Sequence, residues 1–269
     1  MNILEEIAER KKERISREKQ LIPQSELIKQ IQMLPPTEHP GFLENLQKPG
    51  MSYICEVKKA SPSKGVIAED FPYLKIAEEY EKAGASAISC LTEPKYFMGK
   101  NVYLKEITGK VKIPVLRKDF TVDEYMIYEA KLLGASAVLL ICAILDTETV
   151  RDYIHICDEL GLSALVEVHD EKEMRSAIEA GARIIGVNNR NLKDFTVDIG
   201  NSVRLRKLAP PDVLFVAESG IQNAENIRNL KEAGVNGVLI GETLMRSRNK
   251  KAMLVELNGG LLRGRDSEW

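Results

Sequence analysis

One phrase recurs along the chain and sets most of what it can fold into: a helix end, a glycine, then a short apolar run. It reads EKAGASAISCL at 81–91, KLLGASAVLLI at 131–141, EAGARIIGV at 179–187 and KEAGVNGVLIG at 231–241. A looser copy, ELGLSALVEV, stands at 159–168. Glycine accepts the left-handed backbone that ends a helix. The run after it has the unbroken apolar character of a parallel strand buried on both faces. Three further runs, at 51–57, 112–118 and 212–218, lack the glycine, which brings the expected strands to eight. Their C-terminal ends fall near 58, 90, 118, 141, 168, 188, 218 and 240, about 26 residues apart, the length a parallel crossover with a helix needs. Amphipathic helical patterns fill the gaps at 74–83, 123–133, 147–160, 171–180 and 223–233. The expected fold is therefore α/β, a (β/α)8 TIM barrel. A doubly wound open sheet is the rival. It carries five or six strands and a glycine-rich nucleotide turn, and the sequence holds neither GxGxxG nor a Walker A motif.

Composition removes other classes. A chain that is 44% hydrophobic with a net charge of −2 is neither disordered nor a dedicated nucleic-acid binder. Its longest apolar run, 137–145, is far short of the roughly 20 residues a membrane span needs. Cys55, Cys90, Cys142 and Cys157 show no CxxC spacing and read as small buried hydrophobes in a reducing compartment. His39, His155 and His169 have no zinc-ligand spacing, so no metal site is expected. Residues 1–50 precede the first strand: a charged helix at 3–19, a second at 25–33 and a proline-rich link. The cluster Arg10, Lys11, Lys12 alternates with glutamates at helical spacing, which makes it a solvated ion-pair face. The expected division is a helical extension, 1–50, across the barrel mouth, a barrel at 51–257 and an unstructured tail at 258–269.

Barrel enzymes do their chemistry at the C-terminal ends of the strands. There the polar residues of this chain collect: Glu56 and Lys58 on the first strand, Lys118 on the third, Glu167 on the fifth, Asn188 and Arg190 on the sixth, Glu218 on the seventh. Side chains alternate along a strand, so Glu56 and Lys58 share a face, and Lys118 and Phe120 share the face of Leu116. Charges in a partly dry mouth are unfavourable unless they are paired or used. Two lysines and three glutamates at one rim point to acid–base chemistry. Ser219-Gly220 and Gly241-Glu242, after the last two strands, stand where barrels often bind phosphate, and Ser61 adds a hydroxyl. Phe97, Phe120, Leu139 and Leu192 are candidates for an apolar wall, Phe97 from a long loop where a core aromatic would be out of place.

The stretches CEVKKASPSKGVI, LTEPKYFMG, LRKDF, ALVEVHD, IGVNNRNL, AESGI and GVLIGETLMR, in this order, resemble the indole-3-glycerol-phosphate synthase family. The resemblance spans about 50 to 250. It implies a carboxy-lyase of tryptophan biosynthesis that turns 1-(2-carboxyphenylamino)-1-deoxyribulose 5-phosphate into indole-3-glycerol phosphate, CO2 and water. By resemblance, Lys118 is the general acid of ring closure and Glu167 the general base. Lys58 contacts the substrate carboxylate and is a second acid. Glu56, Asn188 and Glu218 orient the lysines and sugar hydroxyls, and Arg190 lies by the anthranilate carboxylate. Ser61, Gly220 and Gly241 form the phosphate site, with Ser219 and Glu242 beside it. Phe97, Phe120, Leu139 and Leu192 surround the aromatic ring, and Leu239 is a further substrate-binding residue. The resemblance implies no metal and no organic cofactor. The expected protein is a cytoplasmic monomer acting on a phosphorylated small molecule, with no nucleic-acid or membrane partner; association with other tryptophan-pathway enzymes is left open. Two rivals remain at this point: another phosphate-binding barrel such as an isomerase, and a non-catalytic barrel in which Lys118 and Glu167 are freely replaceable.

Overall fold

A computed structural model describes residues 3–36, 40–191 and 194–260. Eight parallel strands close into a barrel: β1 (Ser52–Val57), β2 (Ala87–Leu91), β3 (Val115–Lys118), β4 (Ala137–Ile141), β5 (Ser163–Val168), β6 (Ile184–Asn188), β7 (Leu214–Glu218) and β8 (Gly237–Ile240). β1 pairs with both β2 and β8, which leaves no free edge. Only the first two strand ends move from the expected places, each by one residue. The helices are α1 (Ile3–Leu21), α2 (Gln24–Gln32), α3 (Phe42–Leu46), α4 (Tyr73–Lys82), α5 (Asn101–Thr108), α6 (Tyr125–Leu132), α7 (Thr147–Glu159), α8 (Glu171–Glu179), α9 (Gly200–Arg206), α10 (Ala224–Glu232), α11 (Glu242–Arg246) and α12 (Lys250–Leu257). A short hairpin pairs Ala60–Ser61 with Gly65–Val66 in the loop after β1.

The repeated glycine works as its sequence suggests. Gly84, Gly134, Gly161, Gly181 and Gly234 all have φ between +66° and +84° or, at Gly84, +91°. After each, the next residue's N–H reaches back to the last helical turn, as Ala85 does to Tyr80 O (3.0 Å) and Val235 to Leu230 O (3.0 Å). These bonds satisfy carbonyls that a helix end would otherwise leave open.

Strand alternation divides the core in two. Ile54, Leu116, Leu139, Leu165, Val216 and Leu239 point inward and fill the barrel. Val57, Ile88, Leu140, Val166, Phe215 and Ile240 point outward into the layer of helices.

The segment before β1 serves both ends of the barrel. At the mouth, Leu4 of α1 joins the interior cluster beside Phe120. Lys11 forms a 2.7 Å ion pair with Asp119, just after β3, with both side chains almost fully buried. Farther along α1, Lys19 meets Asp123 (2.7 Å), and Ile15 packs with Leu27 of α2 against Tyr125 and Met126. Beyond the proline-rich link, α3 packs at the opposite end. Phe42 and Leu46 enter the interior cluster, the Leu43 N–H donates to Ser163 Oγ (3.3 Å), and the Asn45 amide donates to the Ser86 carbonyl. The expectation that all of 1–50 lies on the mouth is thus corrected: a closed barrel has two open ends, and Phe42 and Leu46 plug the lower one. Of the expected tail, Asn258 accepts a hydrogen bond from Tyr53 OH (3.0 Å), and 261–269 lie outside the described residues.

Candidate active site

The inward rows end at the mouth, and on β1, β3, β5 and β7 their apolar residues there give way to charge: Glu56, Lys118, Glu167 and Glu218. Register puts Asn188 beside Glu218, Glu167 beside Ile141 and Lys118 beside Leu91. These side chains surround one cavity of about 970 Å³. All the sequence-selected residues within the described chain line it: Glu56, Lys58, Ser61, Phe97, Lys118, Phe120, Leu139, Glu167, Asn188, Arg190, Glu218, Ser219, Gly220, Leu239, Gly241 and Glu242. Leu192 lies outside the described residues. Ile3, Leu4 and Ile7 of α1 add an apolar wall from above.

Lys118 is the centre of the charged group. Its Nζ lies 2.9 Å from Glu167 Oε2 and 3.2 Å from Glu218 Oε2. Burial disfavours its charge, but the two carboxylates outweigh burial and hold the ammonium strongly protonated. Burial also opposes charge on Glu167; Lys118 and His169 overcome it and keep that carboxyl below its ordinary range. Glu218 goes the other way. Burial, with Glu167 close by, outweighs Lys118 and pushes it up to about 7. Two carboxylates thus share one lysine and titrate apart.

Around this triad the partners are specific. Asn188 Nδ2 donates to Glu167 Oε1 (3.3 Å), while Asn188 Oδ1 accepts from Ser219 Oγ (2.9 Å) and the Arg190 N–H (3.1 Å). Lys58 pairs with Glu56 on the same face of the first strand's end. Gly241 makes room for that pair, since a Cβ there would overlap the Glu56 carboxylate. Ser219 and Gly220 both adopt left-handed backbone, with φ of 68° and 84°. Such strain in a non-glycine residue is typical of functional turns. Phe97 packs against Phe120, ring centroids 5.9 Å apart. Phe97 is placed by buried Glu93, whose carboxylate accepts the N–H groups of Lys95, Tyr96 and Phe97.

Sequence reading passed over two features of the site. His169, two residues past Glu167, lacks metal-ligand spacing in the sequence, yet in the fold its Nε2 lies 3.4 Å from Glu167 Oε1. Lys64 and Arg246 both meet Glu242 at the phosphate-type end, at 3.6 and 3.0 Å. Arg246 follows Glu242 by one helical turn, a spacing that could have flagged it. Among the described residues, no group of three or more His, Cys, Asp or Glu side chains could hold a metal ion.

Comparisons with known proteins agree on one family. The family model described as indole-3-glycerol phosphate synthase matches residues 4–257. The indole-3-glycerol phosphate synthase of Ruminiclostridium cellulolyticum is 61% identical over 82% of this chain and 85% of its own length. That of Lachnoclostridium phytofermentans is 53% identical over 95% of this chain and 98% of its own. A solved structure of 3-hexulose-6-phosphate synthase from Salmonella typhimurium shares the fold, with a TM-score of 0.63 at 16% identity over 79% of this chain and 99% of that one. The chain belongs to the indole-3-glycerol phosphate synthase family, decarboxylating lyases of tryptophan biosynthesis that act on a phosphorylated small molecule.

Proposed function

We propose that the cavity closes the indole ring by acid–base chemistry in which Lys118 is the first acid and Glu167 the base. The observation that carries this reading is the Lys118 ammonium set between two buried carboxylates of unlike acidity. As the ring carbon of 1-(2-carboxyphenylamino)-1-deoxyribulose 5-phosphate attacks the ketone, the ketone oxygen gains charge. That alkoxide is a stronger base than any carboxylate nearby, so a lysine kept charged gives its proton only as the bond forms. Loss of CO2 restores a neutral ring. Dehydration then needs an acid at the hydroxyl, Lys58, and a base at the adjacent CH2, Glu167. The leaving water carries the proton that Lys118 gave to the ketone oxygen and the one that Lys58 gives to the hydroxyl; Glu167 keeps the CH2 proton, and one net proton from solvent per turnover restores the three groups.

In the same reading, Glu56 holds Lys58, and Asn188 and Glu218 orient Glu167, Lys118 and the sugar hydroxyls. Arg190 faces the substrate carboxylate. Ser61, Ser219, Gly220, Gly241 and Glu242 form the phosphate end. Phe97, Phe120, Leu139 and Leu192 are assigned to the aromatic ring, and Leu239 is a further substrate-binding residue. An apolar wall favours decarboxylation because it disfavours the compact carboxylate more than the spread charge that follows. The extension 1–50 keeps water from the mouth through α1. The protein is read as a cytoplasmic monomer. No helix among the described residues is long and apolar enough to cross a membrane.

Purified protein given the substrate without added metal is expected to form product, followed by the rise of indole fluorescence. No product in any buffer would overturn the reading. Gly241→Ala is expected to lower turnover on the order of 10²-fold, the scale of a misplaced catalytic group, with little change in melting temperature. Turnover within about twofold of wild type would show that the Glu56–Lys58 pair tolerates displacement.

A further inference from the structure

Beside the base stands a largely buried titratable side chain to which the proposed reaction gives no part. His169 stands just past β5, its side chain 17% exposed. The Glu173 carboxylate at the start of α8 accepts both its backbone N–H (2.8 Å) and its Nδ1–H (3.0 Å). Glu173 is itself fixed: Asp170 caps α8 by accepting the Glu173 N–H at 2.9 Å. Asn201 Nδ2 donates to the His169 carbonyl at 2.9 Å. Backbone and ring are therefore held from two helices, α8 and α9. An ionised carboxylate only accepts, so the proton on Nδ1 is assigned by Glu173. The other nitrogen, Nε2, is buried, has no hydrogen-bond partner among the described residues, and lies 3.4 Å from Glu167 Oε1.

We propose that His169, oriented by Glu173, is a positioning residue for Glu167: as imidazolium it holds Oε1 of the base while Lys118 holds Oε2. The inference rests on the assignment of Glu167 as base and deepens it. A bare lone pair on Nε2 facing an ionised carboxylate at this distance would be repelled, so the pair needs a proton between them. The hold matters most when Lys118 gives its proton to the ketone. Glu167 then loses the cation at Oε2, and His169 is the positive group left to keep it ionised and aimed for the CH2 proton. Loss of the imidazolium proton withdraws that hold.

The charged groups facing His169 are Glu167 on β5, Glu173 on α8 and Glu218 on β7, with the Lys118 ammonium behind Glu167. Cys142, after β4, lies in the field of Glu173 and Glu167 and is held as a thiol by burial. Burial of the ring opposes its protonation; the Glu173 bond and the three carboxylates outweigh burial and raise His169 above its ordinary value of 6.5. The imidazolium therefore persists to higher pH than that of a free histidine and is lost as pH rises beyond it.

The test is the pH profile of kcat in His169→Gln and Glu173→Gln beside wild type. In His169→Gln, kcat is expected to fall about tenfold or more with KM within about threefold, and the alkaline inflection of wild type to vanish. In Glu173→Gln, which removes a charge and keeps the side chain's shape, that inflection is expected to move down by about one pH unit. The His169 ring resonance in NMR should move with it. A purely structural role would lower the melting temperature and leave both inflections in place. An unchanged profile in folded His169→Gln overturns the inference. Should that variant not fold, an unmoved kcat inflection in Glu173→Gln, despite a shifted ring titration, overturns it equally. In either case an active wild type leaves the assignment of the reaction standing, whereas an inactive wild type removes that assignment itself.

Discussion

Lys118→Met lowers kcat by about 10³-fold while KM changes less than about threefold, because the group removed acts only as charge develops in the transition state. Methionine keeps the length and apolar stem of lysine, and the site is built to survive the loss. Glu218, already at about 7, takes a proton more readily once the neighbouring ammonium is gone, so the two carboxylates need not face each other charged. Glu167 keeps Asn188 and His169 as partners at Oε1. The mouth is also open enough for water to relieve the rest. Melting temperature should therefore fall little, and an infrared carboxylic-acid band from Glu218 should appear near neutral pH. Steady-state kinetics by product fluorescence decide the matter. A variant within about tenfold of wild-type turnover would remove Lys118 as the acid.

Much of this site is readable in the chain because a parallel barrel turns sequence alternation into geometry. Leu116 and Lys118 share an inward row, so a charge after an apolar inward residue marks the mouth. The same rule places Arg117 and Asp119 outward, where they are buried beneath α1 and α6. Glycine between a helix and an apolar run marks each repeat without need of a partner. What stayed hidden depends on contacts between distant segments. Lys11 looks like any member of a solvated charged helix until Asp119 is placed against it. Phe42 and Leu46 form too short a pattern to announce a helix, and only the open lower end of the barrel gives them a purpose. His169 was visible at a strand end, but its partners come from β5 and α8 together.

Asp119→Ala is the substitution with the largest expected effect on stability. Asp119 accepts from Thr92 Oγ1 at 2.6 Å, pairs with Lys11 at 2.7 Å and lies 3.8 Å from Arg117, all in a region almost closed to water. Arg117 keeps Glu129, Asn101 and the Met126 carbonyl. Lys11 has no comparable replacement among the ion pairs described, so the variant leaves an ammonium buried against apolar neighbours. Breaking such a pair from one side costs about 3–5 kcal/mol. For a chain of this size that is roughly a 10 °C fall in melting temperature. The chain can limit the loss by letting α1 lift, which returns Lys11 to water. That release should show as faster proteolysis within the first 20 or so residues and as a weaker grip on substrate, since α1 lines the cavity. Lys11→Met should be milder, because Asp119 retains Arg117 and Thr92, and the double variant should recover part of what Asp119→Ala loses. The pH dependence has a definite sign. Burial works against the Asp119 charge, but Lys11 and Arg117 overcome it and lower the carboxyl below its ordinary 3.8. Its stabilising contribution is therefore complete above that value and fades as pH falls through the lower folded-state value. Wild type and Asp119→Ala should thus differ most in melting temperature near neutrality and converge in strong acid. If the gap at neutral pH is under about 1 kcal/mol, α1 is held by its apolar face alone and the buried pair is not its anchor.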